Sequence, residues 1–281
     1  DLDLKGVIIG PAFWYFGFSE SPEQLVLNKD HTLFELRKFF RLAIDANPTA
    51  IEMLWAPQSC IRECSPLAEK LLAAREKFLS LKVADSFGKY ALSQLRRIKT
   101  HRRWLLEPPK AQPQREEFNL PGKPVFSGDQ IGAAESLIES GKLAHADLPP
   151  NFMLILDRER SYRAAIKEWQ QFQTWQKERN PARAKLEKEF GYDTKHALHL
   201  VRLLRMALEI LISGEVIVRR PDREELLAIK QGTWKFDQLI EYAESMNQKI
   251  LEARNGTSLP EFPDNESLNL LCTEILRGCF A

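Results

Sequence analysis

Asp1-Leu2-Asp3-Leu4-Lys5-Gly6-Val7-Ile8-Ile9-Gly10 is the stretch whose reading decides the fold. Its apolar run, Val7 to Ile9, is bounded by glycines and reads as a strand. Side chains alternate faces along a strand, so Asp1 and Asp3 share one side, about 7 Å apart. Two carboxylates on one rigid edge suit a hard divalent cation such as Mg²⁺ or Mn²⁺, which prefers oxygen ligands. Two such ions about 4 Å apart can steady both the attacking and the leaving oxygen of a phosphoryl transfer. A third acid is then needed. Glu35, in Thr32-Leu33-Phe34-Glu35-Leu36, is the apolar-flanked candidate, on a strand expected to pair beside the first and aim its carboxylate at the same spot. Asp-x-Asp alone also fits a pair of solvated strand-end residues, and both readings stay open at this level.

Length and composition bound the remaining possibilities. A chain of 281 residues can bury a substantial core in one large domain or two smaller ones. The formal net charge of +1 means that nucleic-acid contacts must come from local patches rather than a global field. No run is long and apolar enough for a transmembrane helix, and no signal peptide is visible, so a cytoplasmic location is expected. Four cysteines make no disulfide framework. Cys60 and Cys64 lack a Cys/His pair at zinc-ligand spacing, and Cys272 and Cys279 fall in an apolar C-terminal helix, so reduced thiols are expected.

Along the chain, Gly10-Pro11 leads into Phe13-Trp14-Tyr15-Phe16, read as core aromatics, and Asn28-Lys29-Asp30 reads as a turn before the Glu35 strand. Phe39, Phe40, Leu42, Ala43 and Ile44 give helical spacing up to Asn47-Pro48, and Ala50 to Trp55 closes a small mixed α/β part. Beyond about residue 65 the signal is helical, with helices expected over 66–81, 88–106, 130–140, 157–178, 193–213 and 236–253, and a last one ending near Arg277. Pro108-Pro109, Pro113, Pro121-Gly122 and Pro124 mark residues 107–129 as a Pro-rich linker joining lobes. The expected class is α+β: an α/β core over 1–60, then an all-helical lobe over 61–281.

Two helices carry candidate chemistry. In the 88–106 helix, Arg96, Arg97, Lys99, His101, Arg102 and Arg103 form the most basic run of the chain. Tyr90, Gln94, Arg97, His101 and Trp104 lie along one stripe of it, which can track a polynucleotide backbone while aromatics stack a base. A solvated basic face is the competing reading. In the 193–213 helix, Lys195, His199, Arg202 and Glu209 lie opposite the apolar face, with His196 and Arg205 on the flanks. Lysine and arginine over two turns suit triphosphate oxygens; an exposed face with an internal Arg202–Glu209 contact fits the same pattern.

The opening Asp-Leu-Asp-Leu-Lys-Gly-Val resembles the DNA-polymerase-beta-type nucleotidyltransferase superfamily, and more narrowly its RNA-repair-pathway branch. The likeness continues in Phe34-Glu35-Leu36-Arg37-Lys38-Phe39, Asn47-Pro48 and Ile51-Glu52-Met53-Leu54-Trp55. Two later blocks also carry it: Tyr90-Ala91-x-x-Gln94-Leu95-x-Arg97 with His101 and Trp104, and Lys195-His196-Ala197-x-His199-Leu200-x-Arg202-Leu203. The family pattern has a Gly-Ser turn and short helix upstream of the paired acids, so an N-terminal segment is expected to be missing and the nucleotidyltransferase core to be incomplete here.

The resemblance implies a metal-dependent enzyme that transfers a nucleoside monophosphate from an NTP or dNTP to a hydroxyl and releases pyrophosphate. On that reading Asp1, Asp3 and Glu35 are catalytic and ligate Mg²⁺ or Mn²⁺, and Lys195, His196, His199 and Arg202 bind the nucleotide. Tyr90, Gln94, Arg96, Arg97, His101 and Arg103 would bind a nucleic-acid acceptor, an RNA or DNA 3′ end with RNA favoured. Transfer to a small molecule or protein, a catalytically silent nucleic-acid-binding module, and a structural protein are the rival readings.

Overall fold

A computed structural model describes residues 3–18, 20–124, 126–141 and 150–280. The N-terminal elements are strand β1 (Leu4–Ile8), a one-turn helix α1 (Phe13–Phe16), strands β2 (Gln24–Asn28) and β3 (His31–Glu35), and helices α2 (Leu36–Ile44) and α3 (Pro48–Leu54). The sheet order is β1-β3-β2, with β3 parallel to β1 and antiparallel to β2. Asn28 makes the turn between β2 and β3, its Oδ1 accepting from the Asp30 amide at 2.9 Å. Glu35 ends β3 and caps α2, which buries Leu36, Phe39, Phe40 and Ala43 at helical i, i+3, i+4, i+7 spacing. Asn47 caps α3 by accepting from Thr49 and Ala50 amides, and Pro48 occupies the first helical position, where its missing N–H costs nothing.

The chain forms two compact units, 1–100 with 189–281, and 101–188. Besides the sheet, the first contains α4 (Pro66–Ala73) and α5 (Lys82–Leu106) as far as Thr100. After the helix α8 (Pro181–Phe190), it resumes with α9 (Thr194–Ser213), α10 (Arg223–Lys230), α11 (Phe236–Gly256) and α12 (Asn265–Phe280). Helix α9 is its spine. Asp193 caps its start by accepting from the His196 amide at 3.0 Å, and Gly214 ends it in the left-handed region at φ 71°. Leu200, Val201, Leu204, Met206, Ala207 and Ile210 are buried along it, with α10 and α11 against it. Helix α12 packs on α2 and α4.

The second unit holds α6 (Gly128–Glu139), α7 (Pro150–Glu178) and most of α8. Trp104, Phe172 and Trp175 form its aromatic centre, Trp104 meeting Phe172 edge-on at 5.7 Å between ring centroids. Residues 107–129, expected as a joint between lobes, lie inside this unit. Arg115 donates to the Pro121 carbonyl at 2.7 Å and forms a two-pronged pair with Glu159, both side chains almost fully covered. Proline content signalled irregular backbone there, but a buried ion pair ties it down. The expected division near residue 60 likewise differs from the observed grouping, in which the sheet shares its unit with 61–100 and 189–280. Buried Phe40 and Phe78 meet at 5.3 Å across that position, burying the apolar face of α2 that a separate small domain would expose.

The four cysteines are free thiols. Among the described residues no helix is long and apolar enough to cross a membrane.

Candidate active site

The parallel register of β1 with β3 decides which acids meet. Leu4 pairs with His31, Lys5 with Thr32, and Ile8 with Glu35. The Leu4 amide donates to the Asp30 carbonyl at 2.7 Å, so one step back along the ladder Asp3 lies beside Asp30. Neighbouring strands are about 5 Å apart, and laterally paired side chains share a face. Asp3 and Asp30 thus stand at the starts of the two adjacent strands, with Lys5 and Thr32 paired two residues further on. Both acids are open to solvent, their side chains 64% and 45% exposed. Their cationic neighbours are their own: Lys5 Nζ lies 2.8 Å from Asp3 and Lys29 Nζ 3.7 Å from Asp30. Asp1 lies outside the described residues.

Glu35 does not join this edge. Its partner Ile8 is five residues along β1 from Asp3. That places Glu35 about 16 Å away along the strand, and the odd step turns its side chain to the opposite face of the sheet. There it is buried, 2% exposed, and fully engaged. Its carboxylate accepts from the Tyr15 hydroxyl at 2.9 Å, from the Lys38 amide at 3.1 Å and from Arg37 Nε at 3.3 Å. Burial, helped by the Glu35 charge and hydrogen bond, pushes the Tyr15 phenol up to about 12. Glu35 is an N-cap that locks α1 to the β3–α2 junction. Apolar neighbours point to Glu35 because it sits in a strand-like run, whereas Asp30, at the start of the strand beside Asp3, has the local pattern of a turn residue. A signal for Asp30 exists in the sequence: Asp3-Leu4 and Asp30-His31 both place an acid immediately before a strand.

On α9 the predicted nucleotide-binding residues separate by environment. Lys195 is exposed and His199 half-buried. His196 is 8% exposed, its Nε2 3.5 Å from an oxygen of the capping Asp193. Arg202 is half-buried and donates to Glu52 of α3 at 2.5 Å. The internal Arg202–Glu209 contact considered from the helix period does not form; Glu209 is held by two nitrogens of Arg220 instead.

The basic stripe of α5 also divides. Arg96, Arg97 and Lys99 are exposed, and Gln94 half-buried beside them. Tyr90 is 44% exposed, its hydroxyl accepting from Asn47 Nδ2 at 2.8 Å. Further on, Arg103 pairs with Glu168, whose Oε1 also accepts from Trp104 Nε1 at 3.1 Å. The His101 ring stacks on Trp104 at 5.6 Å and lies 5.4 Å from Trp175. Trp104 is 5% exposed, so it serves the aromatic centre of the second unit rather than stacking a base.

These positions can be set against known proteins. Residues 1–107 match the RNA repair pathway DNA polymerase beta family. The match to this polymerase-beta family spans β1 to β3, the Asp3–Asp30 edge and the basic run of α5; Lys195 and the rest of α9 lie beyond it. The family's description suggests a nucleotidyltransferase of the polymerase-beta type. No curated protein and no solved structure matches the chain.

Proposed function

We propose that the protein is a metal-dependent nucleotidyltransferase that moves a nucleoside monophosphate from an NTP or dNTP to a hydroxyl group, with release of pyrophosphate. The observation that carries the reading is the Asp3–Asp30 edge, two solvent-open acids at the starts of neighbouring, hydrogen-bonded strands, within the segment that matches the polymerase-beta family. Their donor set fits a hard divalent cation. All the oxygens are carboxylate, the adjacent like charges repel, and the two nearby lysines are exposed side chains that can swing away. Asp3 and Asp30 would hold Mg²⁺ or Mn²⁺, with Asp1 as a further ligand by its Asp-x-Asp spacing. When bound, the metal supplies charge neutralisation and polarisation of the phosphoryl oxygens.

Glu35 has no part in this set, since its oxygens already serve Tyr15, Arg37 and the α2 cap. Exposed Lys195 and half-buried His199 of α9 are the residues offered for the triphosphate. Arg202 is left out because Glu52 holds its guanidinium, and His196 because it is buried at the helix start. The favoured acceptor is an RNA 3′ end, for which Arg96, Arg97 and Lys99 supply exposed positive charge free of carboxylate partners among the described residues. Three cations near a polyanion give binding that weakens steeply with salt.

The test is pyrophosphate release from each NTP with an RNA primer, a DNA primer and no primer, comparing the wild-type protein with Asp3→Ala. Release that requires a divalent cation and falls at least about a hundredfold in Asp3→Ala is the expected result. Equal rates in the two proteins would remove the carboxylate edge from the chemistry, and primer-independent release would point to a different acceptor.

A further inference from the structure

A cavity of about 390 Å³ opens in the first unit between the 57–60 loop, α9, the 218–220 segment and the start of α10. Its residues are of two kinds. Pro57, Leu198, Val218, Leu226 and Leu227 make it largely apolar, and four arginines, 202, 219, 220 and 223, line it as well. The arginines are not equivalent. Arg220 is almost fully buried and saturated, with two nitrogens on Glu209, Nε 2.8 Å from Asp222 Oδ1 and a contact to the Ile217 carbonyl. Arg202 is held by Glu52. These two are neutralised in place by carboxylates. Arg219 and Arg223 are exposed and have no carboxylate partner among the described residues; Arg219 donates only to the Ser59 hydroxyl, at 3.2 Å.

An apolar lining, two carboxylate-paired planar guanidiniums and two uncompensated ones define a complementary shape. The uncompensated pair calls for an anion with several acceptor oxygens, and guanidinium geometry matches phosphate better than a single carboxylate. The apolar lining with carboxylate-paired guanidiniums calls for a flat, weakly polar body, because arginine stacks on aromatic rings as readily as it forms hydrogen bonds. The volume lies within the range usual for small-ligand sites. We infer that this cavity binds a nucleoside monophosphate unit, with the base against Leu198, Val218 and Leu227 and the phosphate on Arg219 and Arg223. None of these residues belongs to the Asp3–Asp30 edge, so the site needs no metal and stands whether or not that edge is catalytic.

Calorimetric titration of the full chain with AMP in excess EDTA tests this. AMP is expected to bind without metal, and adenosine and inorganic phosphate to bind at least about tenfold more weakly, since each supplies half of the recognition. Arg219→Ala and Arg223→Ala should each weaken AMP roughly tenfold, the usual cost of a lost charge-assisted hydrogen bond. Asp3→Ala should bind AMP like the wild type, which separates this site from the proposed reaction. A 5′-phosphorylated trinucleotide run beside AMP identifies the source: tighter binding than AMP assigns the site to a nucleic-acid end, weaker binding to a free nucleotide, and either supports it. Cys60, exposed and on the cavity wall, gives a second readout, because AMP should slow its alkylation without slowing that of exposed Cys279. No AMP binding, or unchanged AMP affinity in the Arg219→Ala/Arg223→Ala double variant, overturns the inference.

Discussion

Replacing Asp30 by Asn separates a metal edge from an ordinary turn by the sign of its effect. In the metal-free protein, carboxylates on neighbouring strand starts at the ordinary inter-strand spacing of about 5 Å, both open to water, would repel by about 0.8 kcal/mol. Salt at physiological strength, with a screening length of about 8 Å, cuts this to roughly half. Asp30→Asn should therefore leave the metal-free protein as stable as the wild type or about 0.4 kcal/mol more stable. The Asn28-to-Asp30 turn survives because Asn28 accepts from the backbone amide of residue 30 and not from its side chain. The metal dependence should move the other way. At a Mn²⁺ concentration ten times its dissociation constant, binding stabilises the wild type by about 1.4 kcal/mol, a rise of roughly 3 °C in Tm for a protein of this size. Losing one of two adjoining carboxylates should reduce that rise to under about 1 °C and cut pyrophosphate release about a hundredfold. Thermal unfolding with and without Mn²⁺ reads both effects. A variant that is destabilised without metal yet keeps its full Mn²⁺ shift would refute the assignment and return Asp30 to the role of a turn residue.

Four other outcomes follow from the same geometry. Glu35→Gln should lower stability by about 1–2 kcal/mol, read from the urea midpoint, because a buried carboxylate with three donors becomes an amide with one acceptor oxygen; its pyrophosphate release should be unchanged, and a hundredfold loss would restore Glu35 to the chemistry. The Tyr15 phenol is held in its neutral form in the fold, so its contribution to stability is complete below pH 10 and disappears as pH rises towards 12; ultraviolet titration of phenolate should show Tyr15 late beside Tyr192, whose phenol burial also raises, with only the Tyr15 component moving earlier in Glu35→Gln. The Arg205 hydrogen bond holds the Glu225 carboxyl below its usual range, and for Asp222 the hydrogen bonds from Arg220 and Arg205 together outweigh burial, which acts upward. Both therefore stabilise the fold above the ordinary carboxylate range and lose that contribution as pH falls through it, so Arg205→Leu should flatten the acid limb of urea midpoint against pH. Arg220→Met should cost about 3 kcal/mol by stranding Glu209 and leaving Asp222 with Arg205 alone, whereas exposed Arg223→Ala should cost under about 0.5 kcal/mol in chemical denaturation.

The helical elements were legible because their signals are local. Gly214 ends α9, and the apolar spacing of Phe39, Phe40 and Ala43 in α2 recurs in the residues that are buried, whereas Asn47-Pro48, read as the stop of α2, also starts α3. Each feature depends on residues within one or two turns, and chain order alone reveals it. The α5 stripe was half legible: its period was right, but helical spacing cannot distinguish Arg97 in solvent from Trp104 inside an aromatic cluster.

Sequence alone, then, determined where carboxylates, guanidiniums and apolar faces sit along each element, and that a small sheet precedes many helices. Tertiary structure decided which of them meet. Strand register is non-local: a parallel ladder that starts with Leu4 opposite His31 brings Asp30 to Asp3 and turns Glu35 to the reverse face, and a one-residue slip would exchange the two faces. The arginine partners are equally non-local, Arg202 finding Glu52 on α3 and Arg220 finding Glu209 across the turn after α9. A charge lowers its energy by whichever opposite charge the packed backbone brings within reach, and chain order does not record that proximity.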